Sequence, residues 1–307
     1  MVGQVTTRHA YSDVDVPVDG GLLRVGVWEP QETPTATLVL VHGVTSSHLV
    51  WRDLVDHLPR MRLIAPDLRG RGRANSVRGP SGMAQHADDL AAVMLHLGVD
   101  AAPIVGHSMG GFVGVVFAHR HTEMCEQLIL IDGGLPLDVP AGLTPDEVVA
   151  GILGPTGQRL SMRFPHTKDY LDFWRQHPAF IGAWSPRLEA YFAYDLVDDG
   201  DALRPATSYA TTAEDTVDLN TGTALTDALA HLSVRTSLLT VPRGLTGQEP
   251  GLYASDYLAR TLEDYPSIAH ERTDDFNHYT IALTDAGATR LAQFVTDHLI
   301  AGKEADE

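Results

Sequence analysis

The stretch Gly106-His107-Ser108-Met109-Gly110-Gly111 follows an apolar run, Ala102 to Val105, and leads into a helix-like segment that ends near His121. A Gly-x-Ser-x-Gly pattern alone is common, but a strand before it and a helix after it give it a mechanical meaning. Glycines at both flanks permit a tight strand-to-helix turn that lifts the serine hydroxyl clear of the sheet, beside the N–H groups of the helix N-terminus. The chemistry on offer is nucleophilic attack by Ser108. A serine hydroxyl is a weak nucleophile near neutral pH and needs a base in hydrogen-bond reach, itself oriented by a carboxylate. Of 15 histidines, His278 is the candidate base, because Asp274-Asp275-Phe276-Asn277-His278-Tyr279-Thr280 follows the last expected strand. Loops at the carboxyl ends of parallel strands are where such groups converge. Asp274 and Asp275 stand near His278 in sequence, but residues so close on one loop more often face solvent than turn back onto the ring.

The elements that must position these residues read as alternating strands and helices. Val14 to Val18 and Leu22 to Trp28, joined by Asp19-Gly20-Gly21, form an opening hairpin. Ala36 to Val41 is an apolar, branched run that suits a strand buried on both faces, and it ends in His42-Gly43-Val44. Helix over His48 to Leu58 follows, with Trp51, Leu54, Val55 and Leu58 on one face, then strand over Met61 to Ala65 and helix over Met83 to Leu97. After the serine turn, Gln127 to Ile131 is the next strand, closed by Asp132-Gly133-Gly134. The rhythm then breaks. Residues 135–232 carry helical stretches, prolines and many aromatics without a comparable buried strand, which marks an inserted helical domain. Strand returns at Thr236 to Val241, helix at Leu252 to Leu262, a short strand at Ser267 to Glu271 and a closing helix at Leu283 to Leu299. The fold class is α/β: a mostly parallel, twisted sheet with helices on both faces, made from residues 1–134 and 233–307, with a helical cap at 135–232.

Composition narrows the function further. The 307 residues are 44% apolar and 20% charged, and no run of about 18 apolar residues reads as a membrane span. A formal net charge of −18 disfavours nucleic acid and anionic lipid as partners. The start, Met1 to Arg8, lacks the apolar stretch of a signal peptide, so a cytoplasmic location is expected. The single cysteine, Cys125, excludes an intramolecular disulfide and reads as inert packing late in a helix. Arg69, Arg71 and Arg73 alternate with glycines but lack the phosphate-loop ending, and read as loop anchors. His119 and His121 point to different sides of a helix end, so no metal is called for, and neither is a cofactor. The tail Lys303 to Glu307 is expected to fray.

The chain resembles the α/β-hydrolase fold superfamily. The resemblance rests on Val41-His42-Gly43, Asp67-Leu68-Arg69-Gly70, Gly106-His107-Ser108-Met109-Gly110-Gly111 and Asn277-His278, and covers the chain apart from the insertion. It implies an oxyanion hole built from the backbone N–H groups of Val44 and Met109. The acid departs from the commonest pattern of that superfamily, because the strand after the insertion runs into Val241-Pro242-Arg243-Gly244-Leu245-Thr246-Gly247 with no carboxylate. Some haloalkane dehalogenases and lactonases take the acid from the end of the strand after the nucleophile helix. Here that position is Asp132, with Glu249 as the alternative. Serine in place of the aspartate that haloalkane dehalogenases and epoxide hydrolases carry at this turn implies acyl chemistry on an ester or lactone. A slow or non-hydrolytic small-molecule receptor, and carbon–carbon bond hydrolysis or perhydrolysis, use the same residues and stay open. The expected partner is a small apolar ester or lactone, with His107, Trp174 and Trp184 as candidate pocket residues. Homodimerisation is left open.

Overall fold

Where a strand is covered on both sides, its positions are mostly apolar and any polar ones must be matched, and this property sorts the strands of the computed structural model. The structure describes residues 9–140 and 142–304; the N-terminal segment 1–8 and the end of the charged tail, 305–307, lie outside the described residues. β3 (Ala36–Val41), β5 (Ala102–His107), β6 (Cys125–Ile131) and β9 (Thr236–Thr240) are buried along most or all of their length and form the middle of an eight-stranded sheet. The remaining strands are β1 (His9–Val18), β2 (Gly21–Pro30), β4 (Met61–Pro66) and β10 (Ile268–Arg272), and the order is β1-β2-β4-β3-β5-β6-β9-β10. β1 and β2 are an antiparallel hairpin, β2 is antiparallel to β4, and every other neighbouring pair is parallel.

Because side chains alternate along a strand, each central strand feeds two separate cores. Val39, Val41, Ile104, Leu128 and Leu130 pack against α2 (Met83–His96) and α3 (Met109–Arg120) through Leu90, Met94, Phe112 and Val116. Leu38, Leu40, Val105, Ile129 and Ile131 face the other way, toward α1 (Arg52–His57) and α11 (Asp285–Glu304) through Leu54, Val55, Leu291 and Phe294. Parallel strands joined by crossover helices put all their carboxyl ends at one edge, and that edge carries the site.

The segment between β6 and β9 contains α4 (Pro145–Arg159), α5 (Thr167–Arg175), α6 (Pro186–Tyr194), α7 (Tyr209–Thr221) and α8 (Ala224–Ala230). It also holds a small antiparallel pair, β7 (Leu196–Asp199) and β8 (Ala202–Pro205), which the sequence reading did not anticipate because four-residue strands leave almost no periodicity. α8 packs on α3, and its Leu225, Ala228 and Leu229 enter the core on that side, so by contact it joins the helical layer of the sheet domain. α9 (Ser255–Asp264) and α10 (Thr280–Leu283) complete the chain. Cys125 is corrected by the structure: α3 stops at Arg120, a short turn follows, and Cys125 opens β6. Burial pushes its thiol up to about 12, so it is not a nucleophile near neutral pH. Among the described residues no helix is long and apolar enough to cross a membrane.

Candidate active site

The serine turn is tightly packed. Ser108 adopts φ 54° and ψ −125°, a backbone region that costs a non-glycine residue about 1–3 kcal/mol. Its N–H donates to the Ile131 carbonyl at 2.9 Å, pinning the turn to the end of β6. The glycines are demanded by close approach: a Cβ on Gly110 would stand 2.0 Å from the Val41 carbonyl oxygen, and one on Gly106 2.2 Å from that of Gly110. A side chain at Gly110 would push α3 away from β3, and one at Gly106 would push it away from β5.

Three side chains from three strand ends meet here. The Ser108 hydroxyl and His278 Nε2 are 2.9 Å apart, and His278 Nδ1 lies 2.6 Å from Asp132 Oδ2. With Nδ1–H donating to the carboxylate, Nε2 is left as the acceptor for the serine proton. Exposure falls along the line, from 9% at Ser108 to 3% at His278 and 0% at Asp132, so the hydroxyl end faces the cleft and the carboxylate end is sealed. Asp132 sits one residue past β6 at φ 44°, its N–H donates to the Leu239 carbonyl at 2.7 Å, and its Oδ1 accepts from the Val241 N–H at 3.4 Å.

His278 is fixed on its backbone as well. Its N–H donates to the Arg243 carbonyl at 2.9 Å, and its own carbonyl accepts from His107 Nε2 at 2.9 Å. Burial, with His278 close by, drives His107 down to about 3, so it is neutral and serves as a donor. His107 therefore lies beneath the base, not in the cleft, which corrects its assignment to the pocket. Asn277 braces the same loop, donating from Nδ2 to the Ala179 carbonyl at 2.9 Å and accepting the Tyr279 and Thr280 N–H groups on Oδ1. Glu249, Asp274 and Asp275 are exposed, and His278 Nδ1 is taken by Asp132.

Val44 and Met109 line the cleft beside Ser108 and His278. Met109 opens α3, so its N–H belongs to the first turn, where a helix leaves N–H groups without intrahelical partners. The loop bearing Val44 is held from below by His42, whose Nδ1 donates to the Gly43 carbonyl at 2.8 Å while its Nε2 accepts the Leu68 N–H at 3.0 Å. The cleft has about 600 Å³ of empty space, mouth included. Phe112, Leu137, Leu219, Leu245 and Leu252 give it an apolar wall, and Thr216 and Asn220 of α7 its polar patch, with the buried Asp215 behind them.

Trp174 and Trp184 are not part of that wall. Trp174 stacks on Phe192 at 4.2 Å between ring centroids and meets Tyr279 edge-on at 6.2 Å, and Trp184 stacks on the same Phe192 ring at 5.8 Å, so both pack among aromatic rings away from that wall. The roof comes instead from α7, whose sequence is mostly small and polar and offered no signal beyond Leu219. His119 and His121 also go separate ways: His121 Nε2 meets Asp88 at 2.8 Å, and the His119 ring lies against that of His231. Among the described residues no group of three or more His, Cys, Asp or Glu is arranged to hold a metal ion.

With this geometry in hand, comparison with known proteins is informative. Residues 36–181 match the family model described as the alpha/beta hydrolase fold. Over 94% of its length the chain superposes on the whole of an E-2-(acetamidomethylene)succinate hydrolase, with a TM-score of 0.74 at 19% identity. The fold is that of the α/β-hydrolase superfamily. Among curated sequences, the chain is 34% identical over 118 residues to lipase LipV of Mycobacterium tuberculosis, 38% of this chain and 44% of that one. It is 34% identical over 96 residues to a soluble epoxide hydrolase of Corynebacterium sp., 31% of this chain and 34% of the relative. The chain spans between 30% and 49% of the length of the curated relatives it matches. Within the α/β-hydrolase sheet, the carboxylate bonded to the histidine stands at the end of β6 and not after β9.

Proposed function

We propose that this α/β-hydrolase-fold protein is a serine hydrolase that cleaves a carboxylic ester or lactone through an acyl-enzyme on Ser108. The observation that carries the reading is the unbroken hydrogen-bonded line from Asp132 through His278 to Ser108, ending at an apolar cleft. In the forward step His278 Nε2 takes the hydroxyl proton as Oγ attacks the carbonyl carbon. The negative charge on the carbonyl oxygen is met by the Val44 and Met109 N–H groups, each donor contributing on the order of a hundredfold or more in rate. His278 returns the proton to the leaving alkoxide, and the same residue then activates the water that releases the acid. Asp132 fixes the ring tautomer and stabilises the imidazolium without taking its proton.

Serine at the turn favours acyl transfer over the alkyl-ester route of aspartate nucleophiles, although one relative carries the name epoxide hydrolase. The names lipase and carbamate hydrolase among other relatives agree with attack at an acyl carbon. The wall of Phe112, Leu137, Leu219 and Leu252 suits an uncharged, apolar acyl group.

The reading is tested by exposing the folded protein to a fluorophosphonate probe and to a panel of short-chain, long-chain and cyclic esters. Labelling and ester turnover that disappear in Ser108→Ala are expected. A wild-type protein that neither labels nor turns over any ester is not a serine hydrolase, and a ligand-binding role would then take precedence.

A further inference from the structure

Arg71 and Asp215 form a fully buried ion pair between the loop after β4 and helix α7 of the insertion. An isolated charge is not kept in such a place, so each partner must be matched in full. Asp215 is: besides Arg71 it accepts the Gly82 N–H at 2.6 Å and His86 Nε2 at 3.0 Å. Of the other donors of Arg71, two go to the residues assigned to the oxyanion hole and one to Arg69. Nε donates to the Val44 carbonyl at 2.8 Å, Nη2 approaches the Met109 sulfur at 3.7 Å, and Nη1 also reaches the Arg69 carbonyl at 2.9 Å. Arg69, by contrast, is a loop anchor, bonded in bidentate fashion to Asp89 and to three nearby carbonyls.

The N–H and C=O of Val44 flank a single Cα, so a clamped carbonyl limits the swing of the N–H. A planar guanidinium with fixed donor directions can hold that carbonyl and the Met109 side chain at once, which a lysine ammonium cannot do with the same geometry. We propose that Arg71 is a positioning residue for the oxyanion hole, and that Asp215 makes this positioning depend on α7 being docked over the cleft. The proposal rests on the serine hydrolase reading above. In consequence the hole is complete only when the roof is in place, and catalysis is coupled to closure by one ion pair.

The test compares Arg71→Lys, Asp215→Asn and a control, Asp218→Asn. Asp218 lies on the same helix and accepts the Met83 N–H at 2.7 Å, but that bond ties α7 to α2 and leaves Arg71 alone. Each folded protein is assayed with p-nitrophenyl butyrate and with its thiono analogue, whose C=S is a poor hydrogen-bond acceptor and gains little from the hole. Arg71→Lys is expected to lower kcat on the oxo ester by about 10- to 100-fold with KM within about threefold, since the donor is loosened and not removed. The preference for oxo over thiono ester should fall with it. Asp215→Asn should move both quantities the same way by less, and Asp218→Asn, which loosens α7 without touching the pair, should lower the melting temperature and move the ratio less than Asp215→Asn does. An unchanged oxo-to-thiono ratio in folded Arg71→Lys overturns the proposal; if that variant does not fold, the ratio in Asp215→Asn decides. Wild-type protein that takes no phosphonate label defeats the hydrolase reading and this proposal together, whereas labelled wild type with unchanged ratios defeats the proposal alone.

Discussion

Asp132 combines a strained backbone with complete burial, and both follow from its task of reaching the far side of an imidazole. Asp132→Asn keeps the shape but reverses the preferred hydrogen bond at Nδ1, and the expected result is a kcat lower by about 10³- to 10⁴-fold with KM little changed. Steady-state kinetics on one good ester checks this, and Glu249→Gln in parallel should stay within about twofold of wild type. The reverse pattern would transfer the role to Glu249. At this scale the sequence was most readable where backbone geometry restricts the residue: glycines around Ser108, and an acid directly after a strand. It was least readable for Arg71, whose glycine-rich surroundings suggested an anchor like Arg69. Its partner Asp215 lies 144 positions away, and nothing local to either residue announces the pair.

The two tryptophans and α7 show how an element can be read correctly as helix and still be given the wrong face. Aromatic residues in the insertion bury large areas, and the cheapest way to do so is against one another, as Trp174 does with Phe192, Phe180 and Tyr170. The roof over Ser108 then falls to α7, which turns Leu219 inward among polar neighbours. Leu219→Ala should lengthen the preferred acyl chain, because each methylene accommodated is worth about 0.8 kcal/mol. A chain-length series of p-nitrophenyl esters measures the shift, and an unmoved optimum would remove α7 as a specificity wall. Trp174→Ala, in contrast, should cost about 3–5 kcal/mol of stability in the insertion without moving that optimum. Urea unfolding followed by fluorescence, together with the same ester series, separates the two effects.

For the molecule as a whole, acid is the expected weakness. Burial holds His42 near 4 and His107 near 3, both below the ordinary histidine value of about 6.5. The unfolded chain therefore binds more protons than the native one below that value, and the stability these groups contribute is present above pH of about 6.5 and lost as pH falls toward 4 and 3. Asp67 adds to the loss at lower pH: burial would raise its carboxyl, but His48 and Tyr194 hold it at about 2, so its contribution is present above about 3.9 and lost as pH falls through 2. The midpoint of urea unfolding should drop steadily from pH 7 to 4, by several kcal/mol in stability as an order of magnitude; a midpoint that is flat or rises over that range contradicts the assignment. The sheet that carries these groups was visible in the unbroken apolar run Leu38 through Val41, because a strand buried on both faces leaves a direct trace in sequence. The β7–β8 pair and the packing of α8 on α3 were not visible, since they depend on which surface a short segment meets. The position of Asp132 before the insertion also divides the protein unequally. On the proposed mechanism the nucleophile, the acid and both hole donors lie in the first 134 residues, and the second piece of a chain cut inside the insertion would bring only His278. Neither fragment should turn over substrate by itself, so recovered activity would count reassembled molecules one by one, and the fold becomes a two-part reporter of its own association.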